Sequence, residues 1–443
     1  MIVGIVDSSI VGSQLLAQST ASQYADRRAI VQDSIPAHTI ELSQLRVLSL
    51  PTGFRLAGAH MSRQSHQGQG MGGRVIEAGP GSMIDPRWLG VQVPVLTGQV
   101  ELTIGDVEDE WPYLFEDVDA IAADEHGRIF VGDSGAQAVR AYGRDGQFLF
   151  SVGRPGRGPG EFNASQICHL TFDSEGLLWV NARDAYKIFD VRGGRARVVR
   201  EVRPPEYSTL CVPPIFEGAT GLTLIIPTMP RGVQHVQVTR DGGVVSRQVV
   251  TVRRTWKELG WLVAHLDHPS RGLVERIVQP PFASWSIAAY ASDGRFAHVV
   301  TNEYRVQLFE GNGLVRGEIR SDAKGPLVTK REVDDEEARL RRVRESLRGL
   351  NVRFPDYEMP ERKPPIRNIW YDRDDRLWVL SNPAEDDQML KAMVYGPDGQ
   401  MLFTAQWPRN IDLSVGGISG YVALGVQRLA FDVQRVVRLR FTR

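Results

Sequence analysis

Residues 118–194 carry one pattern written twice, and that repetition limits the folds open to the chain more than any other feature. The first copy reads Val118-Asp119-Ala120-Ile121-Ala122-Ala123-Asp124-Glu125-His126-Gly127, then Ile129-Phe130-Val131, then Val139-Arg140-Ala141-Tyr142 and the turn Asp145-Gly146. The second reads Ile167-Cys168-His169-Leu170-Thr171-Phe172-Asp173-Ser174-Glu175-Gly176, then Leu178-Trp179-Val180, then Tyr186-Lys187-Ile188-Phe189 and the turn Gly193-Gly194. Each copy is a short apolar run, an Asp-x-x-Gly tight turn, a second run ending in Val, and a third run closed by another Gly turn. That is the pattern of an antiparallel meander. A period of about 49 residues belongs with propeller repeats, in which one four-stranded sheet forms one blade.

Further copies follow. Runs at 222–226 and 233–238 end on Asp241-Gly242-Gly243, and runs at 287–290, 296–300 and 306–309 are punctuated by Asp293-Gly294 and Asn312-Gly313. Ile369-Trp370-Tyr371-Asp372 with Leu377-Trp378-Val379, 393–395 and Asp398-Gly399 restore the motif almost fully. The last stretch, 417–443, holds three strand-like runs and needs a fourth, while 98–105 is an alternating strand standing alone before the first full copy. The expectation is an all-β, six-bladed β-propeller over 96–443, with the 98–105 strand closing the last blade and leaving no free edge at the seam.

Two insertions break the rhythm. Trp256, Leu259, Leu262, Val263 and Leu266 fall at helical spacing and predict a helix over 254–266. Thr329-Lys330-Arg331-Glu332 is a capping-box pattern, Leu340, Val343, Leu347 and Leu350 recur at threes and fours, and Glu337 and Arg341 are placed to pair, which predicts a helix over 329–351. Residues 1–95 read as a leader or a poorly structured segment. Leu15-Leu16-Ala17-Gln18-Ser19-Thr20-Ala21 offers small residues for a signal cleavage site, yet no Lys or Arg precedes Arg27 and Asp7 interrupts the apolar run. A secretion signal, a mis-set start, a disordered lead-in and an extra hairpin between strand-like pieces at 45–50 and 74–78 all remain open. His60 and His66 read as part of a solvated loop.

Composition excludes some partners. A net charge of -1 argues against nucleic acid as the ligand, and no apolar run reaches the length of a membrane span. Two cysteines, Cys168 and Cys211, are too few for a disulfide framework. Cys168 therefore reads as a small buried apolar residue, against the rival of a reactive or metal-bound thiol. The loop Gly153-Arg154-Pro155-Gly156-Arg157-Gly158-Pro159-Gly160 invites comparison with a phosphate cradle, but a strand rather than a helix follows it, so a structural turn is expected, with Phe162 plugging neighbouring blades. Asp124, Asp173 and Asp372 recur once per copy, as turn formers would. No Gly-x-Ser-x-Gly elbow is present.

The Gly153–Phe162 stretch, after Phe148-Leu149-Phe150-Ser151-Val152, resembles the blade junction of NHL-repeat propellers. The block from Tyr304-Arg305-Val306-Gln307-Leu308-Phe309 through the second insertion to Leu377-Trp378-Val379 is similar to a bacterial group of six-bladed β-propeller proteins, a resemblance covering about 98–443. It implies a monomer exported to the periplasm or beyond, serving to recognise a protein or small ligand at the channel mouth and rim loops. Enzymatic relatives of this fold, such as lactonases and amidating lyases, gather metal ligands where inner strands meet the central channel. By that resemblance Asp119, His169 and Asn368 are the candidates to hold calcium or zinc, in a metal-dependent hydrolase or lyase, or else simply to line a wet channel. His265 and His268, three apart on the expected helix end, form the other histidine cluster.

Overall fold

Asp124, Asp173 and Asp372 each end the first strand of a sheet and fold it back onto the second. Asp124 accepts from the amides of His126 and Arg128, Asp173 from those of Glu175 and Leu177, and Asp372 from those of Asp374 and Arg376. Gly127 and Gly176 supply the left-handed backbone that the first two turns need. The apolar runs on either side then pair antiparallel and bury, as in Ile129–Asp133, where all five residues are buried.

The computed structural model describes residues 74–78 and, with short gaps, 93–443; the leader, the His60 and His66 loop, the 45–50 piece and Cys211 lie outside the described residues. All described residues belong to one compact unit. Consecutive four-stranded antiparallel sheets form from 118–152, 169–202, 215–250, 286–321 and 366–408. Their cores interlock in chain order. Phe130, Val139, Leu170 and Phe189 join the first sheet to the second, and Trp179, Tyr186, Val236 and Val238 join the second to the third. Ile287, Val306, Ile369 and Val379 join the 286–321 and 366–408 sheets. Phe162 is fully buried between the first and second sheets.

The last sheet is built around Val422–Arg428 and Gln434–Thr442. The strand Val95–Ile104 runs antiparallel to Gln434–Thr442 and, over Val95 to Thr97, parallel to Met401–Pro408. It thereby belongs to two neighbouring sheets and joins them into one nine-stranded path. Leu424, Val426 and Val436 of this last sheet share a core with Val118, Ile121 and Tyr142 of the first. Meanders packed face to face from the first to the third and from the 286–321 sheet to the last, with the first also against the last, make the arrangement propeller-like.

Three expectations need correction. The chain at 254–268 is not helical where it is described: Leu262–His268 is a strand, in a hairpin with Gly272–Val278 and flanked by Asn351–Arg353. Leu262 and Leu266 are four apart, a spacing that places residues on one face in either period, so the apolar pattern did not discriminate. The second expected helix exists but spans Lys330–Ser346, and Asn351 is already in the added strand. It is the only helix among the described residues, so one helical insertion replaces the two expected. Its capping box forms as written, with Glu332 N–H donating to Thr329 Oγ1 and Thr329 N–H to a Glu332 carboxylate oxygen. Finally, Arg74–Ala78 is a strand, as the sequence suggested for 74–78, but it pairs parallel with Val315–Ser321 as a fifth strand of that sheet. Among the described residues no helix is long and apolar enough to cross a membrane.

Candidate functional site

The first strands of neighbouring sheets lie beside one another, so their opening residues are the natural place for a shared site. The bodies of these strands are apolar, but their openings are not. Asp119, His169, Arg367 and Asn368 sit there, all half-buried. Counting back from the turn aspartates, Asp119 and Arg367 stand five residues before Asp124 and Asp372, while His169 and Asn368 stand four residues before Asp173 and Asp372. A bulge at each of the first and fifth sheets, between Val118 and Ala120 and between Ile366 and Asn368, isolates Asp119 and Arg367 from the ladder. A bulge re-aims the extra side chain away from the regular alternation, and such positions recur at functional sites.

The three residues read from the sequence are turned into different junctions. Asp119 accepts from Ser134 Oγ at 2.6 Å, and the same Ser134 oxygen accepts from the Ile167 amide at 2.8 Å, which places Asp119 at the seam of the first and second sheets. His169 precedes Leu170, which packs toward the first sheet, so strand alternation directs His169 to the other side. Burial holds its imidazole down to about 4, with the Arg373 cation adding to the shift, so the ring is neutral at pH 7. Asn368 shares a face with Trp370, which packs against the core shared with the last sheet, and its side-chain oxygen accepts from the Ile369 amide at 2.9 Å. Among the described residues, no three His, Cys, Asp or Glu side chains come together in a group that could hold a metal ion. His265 lies in a strand, where positions three apart fall on opposite faces, so the basis for pairing it with His268 on a helix end is gone.

Cys168 is corrected as well. It is buried, as expected of an apolar residue, but it is disulfide-bonded, and Cys211 is the only other cysteine in the chain. The bond anchors the opening of the second sheet's first strand, beside His169. Spacing alone could not show this, because two cysteines 43 positions apart are brought together only by the fold between them.

The Gly-rich loop is a turn closed on its own carboxylate. Glu161 accepts from the Gly158 amide at 2.8 Å and from Arg154 Nε at 2.9 Å, and these bonds hold its carboxyl below the ordinary range. The loop amide that would cradle a phosphate is therefore already engaged. A cleft of about 560 Å³ opens beside this loop, lined by Arg157, Lys187, Arg203, Glu161 and Glu201. Its charges are largely matched internally, since Glu201 pairs with both Lys187 and Arg203.

Arg367 is the residue that sequence reasoning missed. Burial is the largest influence on it and lowers its pKa; Asp412 acts to raise it and Arg409 to lower it. Among the described residues it makes no hydrogen bond and no ion pair. The available signal was its offset from Asp372, identical to that of Asp119 from Asp124, but the bulge shifts the count by one and Asn368 was chosen instead.

No protein-family model matches the sequence, and no curated protein is similar to it. Among solved structures the chain is similar to a putative exported protein from Bacteroides fragilis, at 9% identity and TM-score 0.43, covering 83% of this chain and 100% of that one. It is similar to a member of the DUF4221 family from Bacteroides vulgatus at 10% identity and TM-score 0.41, covering 78% and 98%. A virginiamycin B lyase from Staphylococcus aureus follows at 12% identity and TM-score 0.35, covering 73% and 94%. No residue, ligand or activity is carried across from them.

Proposed function

We propose that the protein is a six-bladed β-propeller of the NHL-like kind that works as a binding module, taking a protein or small ligand where the inner strands open. The observation that carries this reading is the set of half-buried polar and ionisable side chains, Asp119, His169, Arg367 and Asn368, at the openings of otherwise apolar strands. Polar groups half-withdrawn from water cost stability unless something satisfies them. Pockets that orient a ligand characteristically combine apolar walls with a few such groups.

The test is a thermal-shift and native mass-spectrometry screen of small ligands against the wild-type chain, Asn368→Ala, His169→Ala and a rim control, Arg197→Ala. The reading expects a ligand whose stabilising shift disappears in Asn368→Ala or in His169→Ala and persists in the control. A ligand lost only in the rim control would remove the site from the strand openings. Stoichiometric calcium or zinc in the purified protein, released by His169→Ala, would replace binding with metal-dependent hydrolase or lyase chemistry at Asp119, His169 and Asn368.

We further propose export to the periplasm or beyond. The Cys168 disulfide supports it, because such bonds form and persist in oxidising compartments and are rare in the cytosol. Closing the intervening loop of roughly 40 residues stabilises the fold by about 4 kcal/mol in the chain-entropy account. Thiol titration of unreduced native protein should find no free thiol; two free thiols in protein from its native compartment would overturn the assignment.

A further inference from the structure

We infer that the cleft between the Gly-rich loop and the outer strands of the 169–202 sheet is a second binding site, taking a small molecule that bears an oxyanion, with Lys187 as its buried contact. It is separate from the strand openings and does not depend on the reading proposed for them.

Lys187 and Glu201 stand opposite each other on the third and fourth strands of that sheet, Tyr186–Asp190 and Arg197–Val202, with Leu178–Asn181 between them and the His169 strand. Arg157, Gly158, Pro159 and Glu161 of the loop line the same cleft, as does Arg203. Its volume of about 560 Å³ falls in the range of small-molecule sites. The carboxylates in it are committed. Glu161 accepts from Arg154 Nε and the Gly158 amide, and Glu201 from Lys187 Nζ at 3.1 Å and Arg203 Nε at 2.9 Å. The donors are not. Lys187 is more than nine-tenths buried, yet among the described residues its ammonium has Glu201 as its one partner, which leaves two N–H groups. The Arg157 side chain is exposed and makes no bond among the described residues. Three cations thus line the cleft against two engaged carboxylates, and the spare groups are donors.

The fold does not require a lysine here. Val131, Val180, Val299 and Val379 pair with the first strands at corresponding places, and opposite them on the third strands stand Arg140, Lys187, Val306 and Met393. All four are buried, so this place accepts an apolar side chain. Arg140 spends its guanidinium on Asp133 at 3.1 Å and on the carbonyls of Pro112 and Leu114. Lys363, as buried as Lys187, bonds both Glu332 and the Pro383 carbonyl. Lys187 alone of these has a single bond and a cavity beside it. A buried ion pair gives a fold little that apolar packing would not, and proteins keep such local departures where function needs them. An ammonium flanked by guanidiniums suits the oxygens of a carboxylate or phosphate.

Calorimetric titration of the full chain at low ionic strength, with succinate in one arm and inorganic phosphate in the other, tests this. Expected is saturable binding of at least one probe at one site per chain, weakened about tenfold in Lys187→Met and measurably in Arg157→Gln. Lys187→Met should fold, since methionine fills the corresponding place in the 366–408 sheet and Glu201 retains Arg203. If it does not, Arg157→Gln decides alone, because that side chain is exposed and unbonded among the described residues. Saturation by succinate alone assigns a carboxylate ligand, and by phosphate alone a phosphate. Arg197→Ala, at the other end of the fourth strand, and Asn368→Ala, at the strand openings, should bind as wild type does. Failure of both probes to saturate overturns the inference. So does binding unchanged in the cleft variants, or weakened as much in Arg197→Ala. An anion lost in Asn368→Ala but kept in Lys187→Met overturns it too, and moves the anion to the strand openings.

Discussion

The turns at 291–294 and 372–375 join the first two strands of neighbouring sheets, and each lacks what the other has. Their backbones match: Ala291 N–H donates to Arg295 O at 2.8 Å and Asp372 N–H to Arg376 O at 3.0 Å. In the second turn Asp372, with its side chain fully buried, receives the Asp374 and Arg376 amides, Arg376 Nε and the Trp378 indole. The left-handed position there is filled not by Gly but by Asp375, at φ 54°. The first turn has Gly294 at that position, at φ 86°, but Ala291 stands where the acceptor aspartate should be. Asp375 reconciles the two. Its carboxylate accepts from Ser292 N and Ser292 Oγ, both at 2.8 Å, so one sheet caps its neighbour's turn. The Arg295 amide is capped within its own turn by Asp293, at 3.1 Å, while the Ser292 amide is capped by the adjoining sheet.

Removing the internal cap should have the largest effect. Asp372→Ala strands four donors, two of them on buried or nearly buried side chains, and should lower the unfolding free energy by about 3–4 kcal/mol in urea titrations. A loss below about 1 kcal/mol would mean that the carboxylate is not what holds the turn. Asp173→Ala is expected to cost less, about 2–3 kcal/mol, because Leu177 occupies the place of Arg376, so the ion pair four residues on is replaced by an apolar side chain. If chemical denaturation ranks Asp173→Ala above Asp372→Ala, the arginine contributes nothing to the cap.

The shared cap should matter less again. Asp375→Ala loses both bonds to Ser292 and leaves a Cβ in the left-handed region, for about 1–2 kcal/mol. Asp375→Gly loses the same bonds but relieves the backbone, so it should fall within about 0.5 kcal/mol of wild type. Equal melting temperatures for the two variants would show that backbone strain is absent from the balance. Smallest of all, Ala291→Asp placed in the Asp375→Gly background should recover at most a few tenths of a kcal/mol, since Arg295, four residues on, already pairs with Asp293 and its amide is already capped there. A further loss of stability instead would show that the 286–321 turn cannot accommodate a second carboxylate beside Asp293.

The same contrast explains what could be read from the chain. The Asp turns were legible because an aspartate bonds amides two and four residues on, a distance set by the local backbone. The Thr329–Glu332 capping box was legible for the same reason. The strand at Leu262–His268 was not, because residues four apart share a face in both periods, and only pairing with Gly272–Val278 and Asn351–Arg353 selects the extended form. Among the candidate residues, Asp119, His169 and Asn368 were named from their corresponding places in the inner strands, by resemblance to metal-binding propellers. Arg367 was passed over because a bulge, a property of the pairing rather than of the strand, displaced the count.

Interactions spanning fewer than about six residues were thus written into this chain: the strand–turn–strand units, the glycines in left-handed turns, and the helix start at Thr329. Contacts between distant segments were decided by packing alone. These include the parallel pairing of Val95–Thr97 with Met401–Pro408, the Cys168 disulfide, the parallel pairing of Arg74–Ala78 with Val315–Ser321, and the cap lent by Asp375 to Ser292. The physical reason is that a local bond needs only the backbone geometry of its own turn. A bond across 83 positions, such as that between Ser292 and Asp375, exists only once two sheets have been brought face to face.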